Sequence, residues 1–549
     1  MFQVLRPAAG KGSSMSSISC CELSEWMDSN ALHAVFDVRE RGEYNARQIS
    51  FATSLPRSQI EFRIAELVPN RDIPLFVYDE GGERAALAAR TLAELGYGNV
   101  AVLDGGLAAW EREGRPVVSG VNVPSKAFGE KVQHEQAIPD ISPEELKRLL
   151  DANSKIVVFD VRTPEEYGRF CIPGGLNVPG GDLVHWAEAL KQQPETKVIV
   201  NCAGRTRSII GTAALKRLGL SNVLELRNGT MGWVLAGFEL ETKPNRQGPP
   251  APPGSRAKAV DFALKVAKEE KIGWISAEGI LAASARKDGG LTYIIDVRSE
   301  SEYESGHIAG SINVPGGQAV QRTDDFIAVR NGKIIFVSDR CARAVMAAYW
   351  YGQMSFRDVS VLQGGIQGWS ESGRELARGA EQKAPLGYEQ AKISARLRKL
   401  TEMQSLIREP SLAILDVGSS PDYKTAHVPG AKWLSRGWLE EKLPHHVPQK
   451  NSPLLITCAD GRQSVFAARA LGSIGYANVS VLDGGVHAWH AAGYETEKGM
   501  TACWSEANDV VLSPSITGDR AAMQRYLDWE VQLSAKTAAR PDLQGLKPS

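Results

Sequence analysis

The sequence predicts an α/β protein of four tandem small domains, each a mainly parallel twisted sheet flanked by helices on both faces. Three observations carry this expectation. Asp37, Asp160, Asp296 and Asp416 each stand 73 residues before Trp110, Trp233, Trp369 and Trp489, and one spacing kept four times without a net gap marks four homologous units. Within a unit, β-branched runs alternate with segments of helical spacing; in the second copy the runs are KIVVFDV, KVIV and SNVLEL. Strands that alternate with helices form βαβ units and a mainly parallel sheet covered on both sides. Finally, 549 residues are too many for one core, and about 100 to 200 residues per domain gives three to five domains.

In chain order, the domains fall at 17–119, 136–241, 273–377 and 391–497, followed by a tail, 498–549, that carries one helix. The clearest linker is TKPNRQGPPAPPGSRAK, Thr242 to Lys258. Its Pro and Gly are expected to continue neither helix nor sheet, and so to divide the chain into two halves of two domains. Shorter polar joins are expected at Gly120 to Ala137 and Gly379 to Leu386. Past the fourth copy, Asp519 to Leu533 places Met523, Tyr526, Leu527 and Val531 on one helical face, which predicts a helix that braces a domain.

The bulk composition narrows the function. With 63 Lys and Arg against 64 Asp and Glu, there is no electrostatic footprint for a polyanion, so nucleic acid is not an expected partner. The opening MFQVLRPAAGKGSSMSS lacks the apolar stretch of a signal peptide, and no run of ~18 apolar residues follows; a cytoplasmic protein with no membrane partner is the expectation. Seven Cys without a CxxC spacing argue against a disulfide framework or a zinc site and for free thiols.

In every copy a buried strand should end 42 residues after the Asp, at a loop that opens onto a helix N-terminus. That position holds Asp79, Cys202, Ser338 and Cys458. The second copy reads Cys202, Ala203, Gly204, Arg205, Thr206, Arg207, Ser208; the fourth reads Cys458, Ala459, Asp460, Gly461, Arg462, Gln463, Ser464. Backbone N–H groups of such a loop point inward, the helix dipole adds partial positive charge, and guanidinium groups add more. All favour thiolate over thiol, which ranks Cys202, with two loop arginines, ahead of Cys458, with one. The same donors can hold an anionic substrate and then a negatively charged terminal sulfur, so nucleophile and anion pocket come from one piece of backbone, with no metal and no cofactor. Arg205, Arg207 and Arg462 are the candidate anion-binding side chains. Asp79 would repel an anionic donor, and Ser338 has a far higher pKa with no general base beside it; both copies read as inactive. Cys341, three residues beyond Ser338, is a separate thiol in the third copy.

Four motifs in register now carry a resemblance. The segment from Asp160 to Tyr167 (Asp-Val-Arg-x-x-x-Glu-Tyr), the Asn-Val-Pro-Gly-Gly segment from Asn177 to Gly181, the Cys-led loop and the closing Gly-x-x-x-Trp together resemble rhodanese domains. The third copy repeats the pattern with Asp296, Glu302, Tyr303 and the Gly-His-Ile-Ala-Gly stretch from Gly306 to Gly310. The resemblance covers nearly the whole chain except the linkers and the two ends. It implies sulfurtransferase chemistry: a thiolate attacks the sulfane sulfur of a small anionic donor such as thiosulfate, sulfite leaves, and the cysteine persulfide passes its sulfur to cyanide or a thiol. It also implies that Ala203 to Ser208 and Ala459 to Ser464 cradle donor and persulfide. Two departures stand out: Arg205 occupies the place of a family glycine, which Gly461 keeps, and Gly418 replaces the Arg of Asp-Val-Arg in the fourth copy.

Other readings stay open at this stage. A persulfide relay to a protein acceptor, with the two Cys-lacking domains as docking surfaces, is the same chemistry with another partner. A redox-sensing binding module is a different class. Phosphatases and arsenate reductases similar in fold use Cys, five residues, then Arg; here Arg207 follows Cys202 after four residues and no Arg stands six after Cys458, which favours sulfur over phosphate. Cys20, Cys21, Cys171 and Cys503 read as structural, His307 and His427 as orienting a loop, and His445 and His446, between Pro444 and Pro448, as a solvated turn. The repeated Trp reads as core, and Asp104-Gly105-Gly106 as a turn into a helix rather than a phosphate loop.

Overall fold

The computed structural model describes residues 16–244, 246, 250–284, 290–380, 384–407 and 409–538. Each copy folds as a five-stranded, wholly parallel sheet with one shared strand order. Across the second sheet run Asp140–Ile141, Val223–Leu226, Lys197–Asn201, Ile156–Asp160 and Leu176–Asn177. The central strand of that order is Leu75–Tyr78, Lys197–Asn201, Lys333–Val337 or Leu454–Thr457 in the four copies. Parallel neighbours need long crossovers, which the intervening helices supply. The fourth copy shows why its strands read as near-continuous apolar runs. Leu415, Leu454, Ile456 and Val481 face one apolar cluster, while Ile414, Leu455 and Leu482 face the other, the two-residue period of a strand buried on both sides.

The repeated Trp is core, as expected. Trp489 closes the second of those clusters and its indole N–H donates to the Glu495 carbonyl at 2.7 Å. Trp110, Trp233 and Trp369 donate likewise to the carbonyls of Pro116, Glu239 and Glu375. At the other end of the repeat, Arg162 clamps both oxygens of Asp160 at 2.9 and 2.7 Å and donates to the Phe170 carbonyl, tying the strand to the loop beyond it. Arg39 and Arg298 repeat the clamp on Asp37 and Asp296. In the fourth copy Gly418 offers Asp416 only a backbone amide at 2.8 Å among the described residues. Burial pushes the Asp416 carboxyl up to about 7, with that amide opposing.

The chain divides into two compact units, but not at the Pro-rich linker. Met1–Val121 joins Gln382–Val511, and Asn122–Glu381 joins Leu512–Ser549; domain 1 pairs with domain 4, and domain 2 with domain 3. The expected halves of consecutive domains are corrected accordingly. The pairing follows from equivalent positions. In one unit Gly181 packs so closely on Gly316 that a Cβ on it would meet the Gly316 Cα at 3.2 Å. In the other unit the position of Gly316 carries buried Arg436, paired with Glu61 at 2.5 Å, and that of Gly180, beside Gly181, carries Arg57, paired with Glu440 at 2.6 Å. A buried guanidinium needs an anionic partner, and a glycine patch has none to offer.

Two expected joins are helical. Val123–Glu135 forms a helix with Pro124 in its first turn, and Pro253–Glu269 forms one that begins inside the Pro-rich stretch. Proline is well suited to a first helical turn, where its missing N–H costs nothing. Glu241–Thr242, at the start of the same stretch, pairs antiparallel with Phe170–Cys171. Residues 245 and 247–249 of the linker, 381–383 of the third join, and both chain ends lie outside the described residues. His445 and His446 end a helix, Leu439–His446, rather than a turn; the burial of Leu439 and Leu443 holds it together despite Pro444. Among the described residues no helix is long and apolar enough to cross a membrane.

Candidate active site

The loop at the nucleophile position follows the central strand of each sheet, where the carboxyl ends of parallel strands leave a crevice. Its carbonyls are tied away from that crevice. The Thr230 and Met231 amides donate to the Cys202 and Ala203 carbonyls at 2.9 and 3.1 Å, and those of Val486 and His487 donate to Cys458 and Ala459 at 2.9 and 2.8 Å. Domains 1 and 3 repeat both bonds on Asp79, Glu80, Ser338 and Asp339. With the carbonyls held by the next helix, the loop amides are free to face the side chain at the nucleophile position. The close approach explains the Gly-rich turn before each Trp: a Cβ on Gly229 or Gly485 would lie 2.3 Å from the Cys202 or Cys458 carbonyl oxygen, at φ of +56° or +62°.

Domain 1 displays what this arrangement binds. The Asp79 carboxylate accepts hydrogen bonds from the Gly81, Gly82 and Ala85 amides at 2.7, 3.0 and 3.0 Å. Those donors stand two, three and six residues after the nucleophile position, so the equivalent amides belong to Gly204, Arg205 and Ser208 in domain 2 and to Asp460, Gly461 and Ser464 in domain 4. An anion held by three converging amides is a built-in ligand of the cradle. In domain 3, Ser338 is buried and its hydroxyl has no partner among the described residues. Cys341 caps the following helix, where burial and Asp339 push its thiol up to about 11.

In domain 2 the Cys202 Sγ lies 3.4 Å from the Ser208 Oγ. Ser208 Oγ lies in turn 2.9 Å from Glu225 Oε2 and 2.8 Å from the Arg205 carbonyl. The loop is roofed by two helices. Glu130, on Val123–Glu135, takes Arg205 at 2.5 Å, and Glu530, on the C-terminal helix Arg520–Ala538, accepts from Thr206 Oγ1 at 2.7 Å. Gly204 is closed in by Met231, Glu530 and Tyr526, which a Cβ there would meet at 2.9, 3.4 and 3.5 Å. In domain 4 the thiol is equally buried, yet the loop around it is open: Asp460 and Arg462, joined at 2.6 Å, are 36% and 46% exposed.

The structure gathers every expected site residue into these two loops but changes the electrostatics. All three candidate arginines are already paired: Arg205 with Glu130, Arg462 with Asp460, and Arg207 with Glu166 at 2.6 and 2.8 Å. The last pair recurs without a thiol, as Arg84 with Glu43 and Arg343 with Glu302, which marks it as a brace of the fold. Burial lifts Glu166, but the Arg207 guanidinium outweighs it and holds the carboxyl at about 2. The thiols follow burial too. It raises Cys202 against the pull of Arg207 and Ser208, and carries Cys458 to about 11 against Ser464. The expectation that loop charge leaves a resting thiolate is corrected: in the resting sites desolvation outweighs the favourable loop interactions.

Arg205 has φ −125° where Gly461 has φ +85°, so the second cradle is reshaped to suit a side chain that the left-handed region would strain. Sequence reading missed Glu130, Glu225 and Glu530, and placed Tyr526 on a bracing helix without linking it to the Cys202 loop. One signal was legible: Ser208 and Ser464 stand six residues after the thiol, where the Cys-lacking copies carry Ala85 and Ala344. The expected apolar face of the last helix is partly corrected. Met523 and Leu527 are buried against Met231, while Val531 is 45% exposed and Glu530 takes the inward place, because Thr206 gives its carboxylate a donor. His307 and His427 stack on Tyr303 and Tyr423 with Nδ1 at their carbonyls, the loop-orienting role expected of them.

These parallel sheets and anion cradles define a class. The rhodanese-like domain model matches residues 19–113, 142–236, 281–372 and 399–492, and the chain belongs to that family. In three dimensions it is similar to a thiosulfate sulfurtransferase from Pseudomonas aeruginosa, with a TM-score of 0.89 and 37% identity over 97% of this chain and 99% of that one. Among curated relatives, the thiosulfate sulfurtransferase of Azotobacter vinelandii is 28% identical over 157 residues, 28% of this chain and 57% of that protein. The 3-mercaptopyruvate sulfurtransferase of Escherichia coli K12 is 31% identical over 194 residues, 31% of this chain and 68% of that protein. Several curated matches are partial: they span 54% of a Bacillus subtilis relative and 24% of a Mycobacterium tuberculosis one.

Proposed function

We propose that the protein is a sulfurtransferase that carries sulfane sulfur as a persulfide on Cys458 and Cys202, from thiosulfate or a similar small anion to cyanide or a thiol. The observation that carries this reading is the Asp79 carboxylate, held by three loop amides in domain 1, at the place where domains 2 and 4 hold a thiol. Family membership and the Pseudomonas aeruginosa relative support it.

The steps follow from the cradle. The deprotonated cysteine attacks the outer sulfur of the donor, the donor S–S bond breaks, and sulfite leaves with the bonding pair. The new terminal sulfur bears negative charge where the Asp79 oxygens lie in domain 1, so the amides of Asp460, Gly461 and Ser464, or of Gly204, Arg205 and Ser208, stabilise it. Cyanide or an acceptor thiolate then attacks that sulfur and returns the cysteine thiolate. Domains 1 and 3 serve as walls for domains 4 and 2. The Cys458 loop, with its exposed Asp460 and Arg462, is the more open of the two. Seven free thiols suit a reducing compartment such as the cytoplasm.

Thiocyanate formation from thiosulfate and cyanide tests the proposal. The wild type should turn over, and the Cys202→Ser, Cys458→Ser double variant should not; turnover retained by the double variant would overturn it.

A further inference from the structure

We infer that Glu225 is the proton acceptor for Cys202, reached through the hydroxyl of Ser208; this rests on the persulfide reading and names a positioning and proton-handling device within one of its two sites. Three observations carry it. The Cys202 Sγ, Ser208 Oγ and Glu225 Oε2 form a continuous chain with steps of 3.4 and 2.9 Å. Glu225 is fully buried on the strand next to the central one, a place where charged carboxylates are expelled unless they serve a purpose. At the same register the other copies carry Val102, Val361 and Val481. Domain 4 is the internal control: Ser464 stands against Cys458, but with Val481 opposite it finds no acceptor among the described residues.

The chemistry balances without an added reagent. The thiol S–H bond breaks as its proton passes to the Ser208 oxygen, the Ser208 proton passes to Glu225, and the electron pair stays on sulfur for attack on the donor. Net charge in the site is unchanged, because one carboxylate becomes a carboxylic acid as one thiol becomes a thiolate. Ser208 is built for the exchange: its single proton has two acceptors at nearly equal reach, the Arg205 carbonyl at 2.8 Å and Glu225 at 2.9 Å. The groups that face the pair set its titration. Arg205 and Ser208 draw Glu225 down, while burial, Asp140 and Glu130 push it up, to about 8. Around Cys202 stand Arg207, Ser208 and Glu225, with Tyr526 of the C-terminal helix above them.

The test is single-turnover sulfite release from thiosulfate, with the Cys202 persulfide read by peptide mass, in a Cys458→Ser parent across the pH range around 8. In the parent the rate should rise with an inflection near 8. Glu225→Gln, Glu225→Val and Ser208→Ala should each slow the step by about 100-fold and replace the inflection with a rise that continues toward higher pH. A Glu225→Gln, Ser208→Ala double variant should be no slower than either single one, since both break the same chain. Unchanged rates and inflection in the Gln and Val variants, or losses that multiply in the double variant, would overturn the relay. If the Cys458→Ser parent takes up no sulfur while Cys202→Ser does, the relay is overturned and sulfur transfer stands. If neither takes up sulfur, the functional proposal itself has failed.

Discussion

Replacing Gly485 by alanine should disable the Cys458 cradle without touching a reacting group. The added Cβ would lie 2.3 Å from the Cys458 carbonyl oxygen, 2.6 Å from the Gly461 nitrogen and 2.8 Å from the Ala459 carbonyl oxygen. A carbon and a carbonyl oxygen settle at about 3.3 Å or more, so the loop must retreat by roughly 1 Å and lose the bond from the Val486 amide. Gly493 separates this clash from backbone strain: its φ is +81° and a Cβ there would meet nothing within 4 Å. Gly493→Ala should cost only the left-handed penalty, about 1 kcal/mol. Gly485→Ala carries a similar penalty plus the overpacking of a buried backbone contact, about 3 to 5 kcal/mol in all. A misplacement near 1 Å in a reacting loop costs about 100-fold in rate. In a Cys202→Ser background, denaturant unfolding and persulfide formation on Cys458 should both separate the two variants. Equal stability and equal sulfur uptake in Gly485→Ala and Gly493→Ala would refute the claim that the Gly turn holds the cradle open.

Three further outcomes follow. Asp79→Ala removes the anion that three amides share in domain 1, and should destabilise that unit by about 2 to 3 kcal/mol, with added sulfate or thiosulfate restoring part of the loss in a thermal melt; no loss and no rescue would count against the cradle as an anion site. Asp416 is held up near 7 by burial, so the native state binds its proton more tightly than the unfolded chain. The stability this gives is present at low pH and lost as pH rises to about 7; Asp416→Asn should therefore gain about 4 kcal/mol over wild type at alkaline pH and nothing in acid. An equal gain at both would show that the carboxyl does not titrate there. Ending the chain after Gly518 removes the helix that carries Tyr526 and Glu530, and iodoacetamide should then label Cys202 about 10-fold faster with Cys458 unchanged; unchanged labelling of Cys202 would mean that the helix does not shield it.

Much of the fold was legible because it repeats. The Asp-to-Trp spacing works as an internal alignment, and strands buried on both sides read as apolar runs whatever lies around them. The Cys202 and Cys458 loops were legible for the same reason, since a thiol in two of four registered positions contrasts with Asp79 and Ser338. What escaped reading depends on partners distant in sequence. Val123–Glu135 and Pro253–Glu269 looked like polar joins because proline and glycine signal a break, yet proline also suits a first helical turn. The pairing of domain 1 with domain 4 rests on Arg57, Glu61, Arg436 and Glu440, whose complementarity no local pattern reveals. Glu530 escaped because its inward place depends on Thr206, far away in sequence, which gives it a donor. The ion pairs of Arg205 with Glu130 and of Arg207 with Glu166 escaped for the same reason, since both partners lie far off in sequence.

The most direct test is the intact mass of the protein after incubation with thiosulfate, for wild type, Cys202→Ser, Cys458→Ser and the double variant. The account predicts a gain of ~32 Da for each reactive thiol, lost with the matching serine variant and absent from the double. An unchanged mass in wild type, while an alkylating reagent still labels Cys202 and Cys458, would contradict the persulfide mechanism.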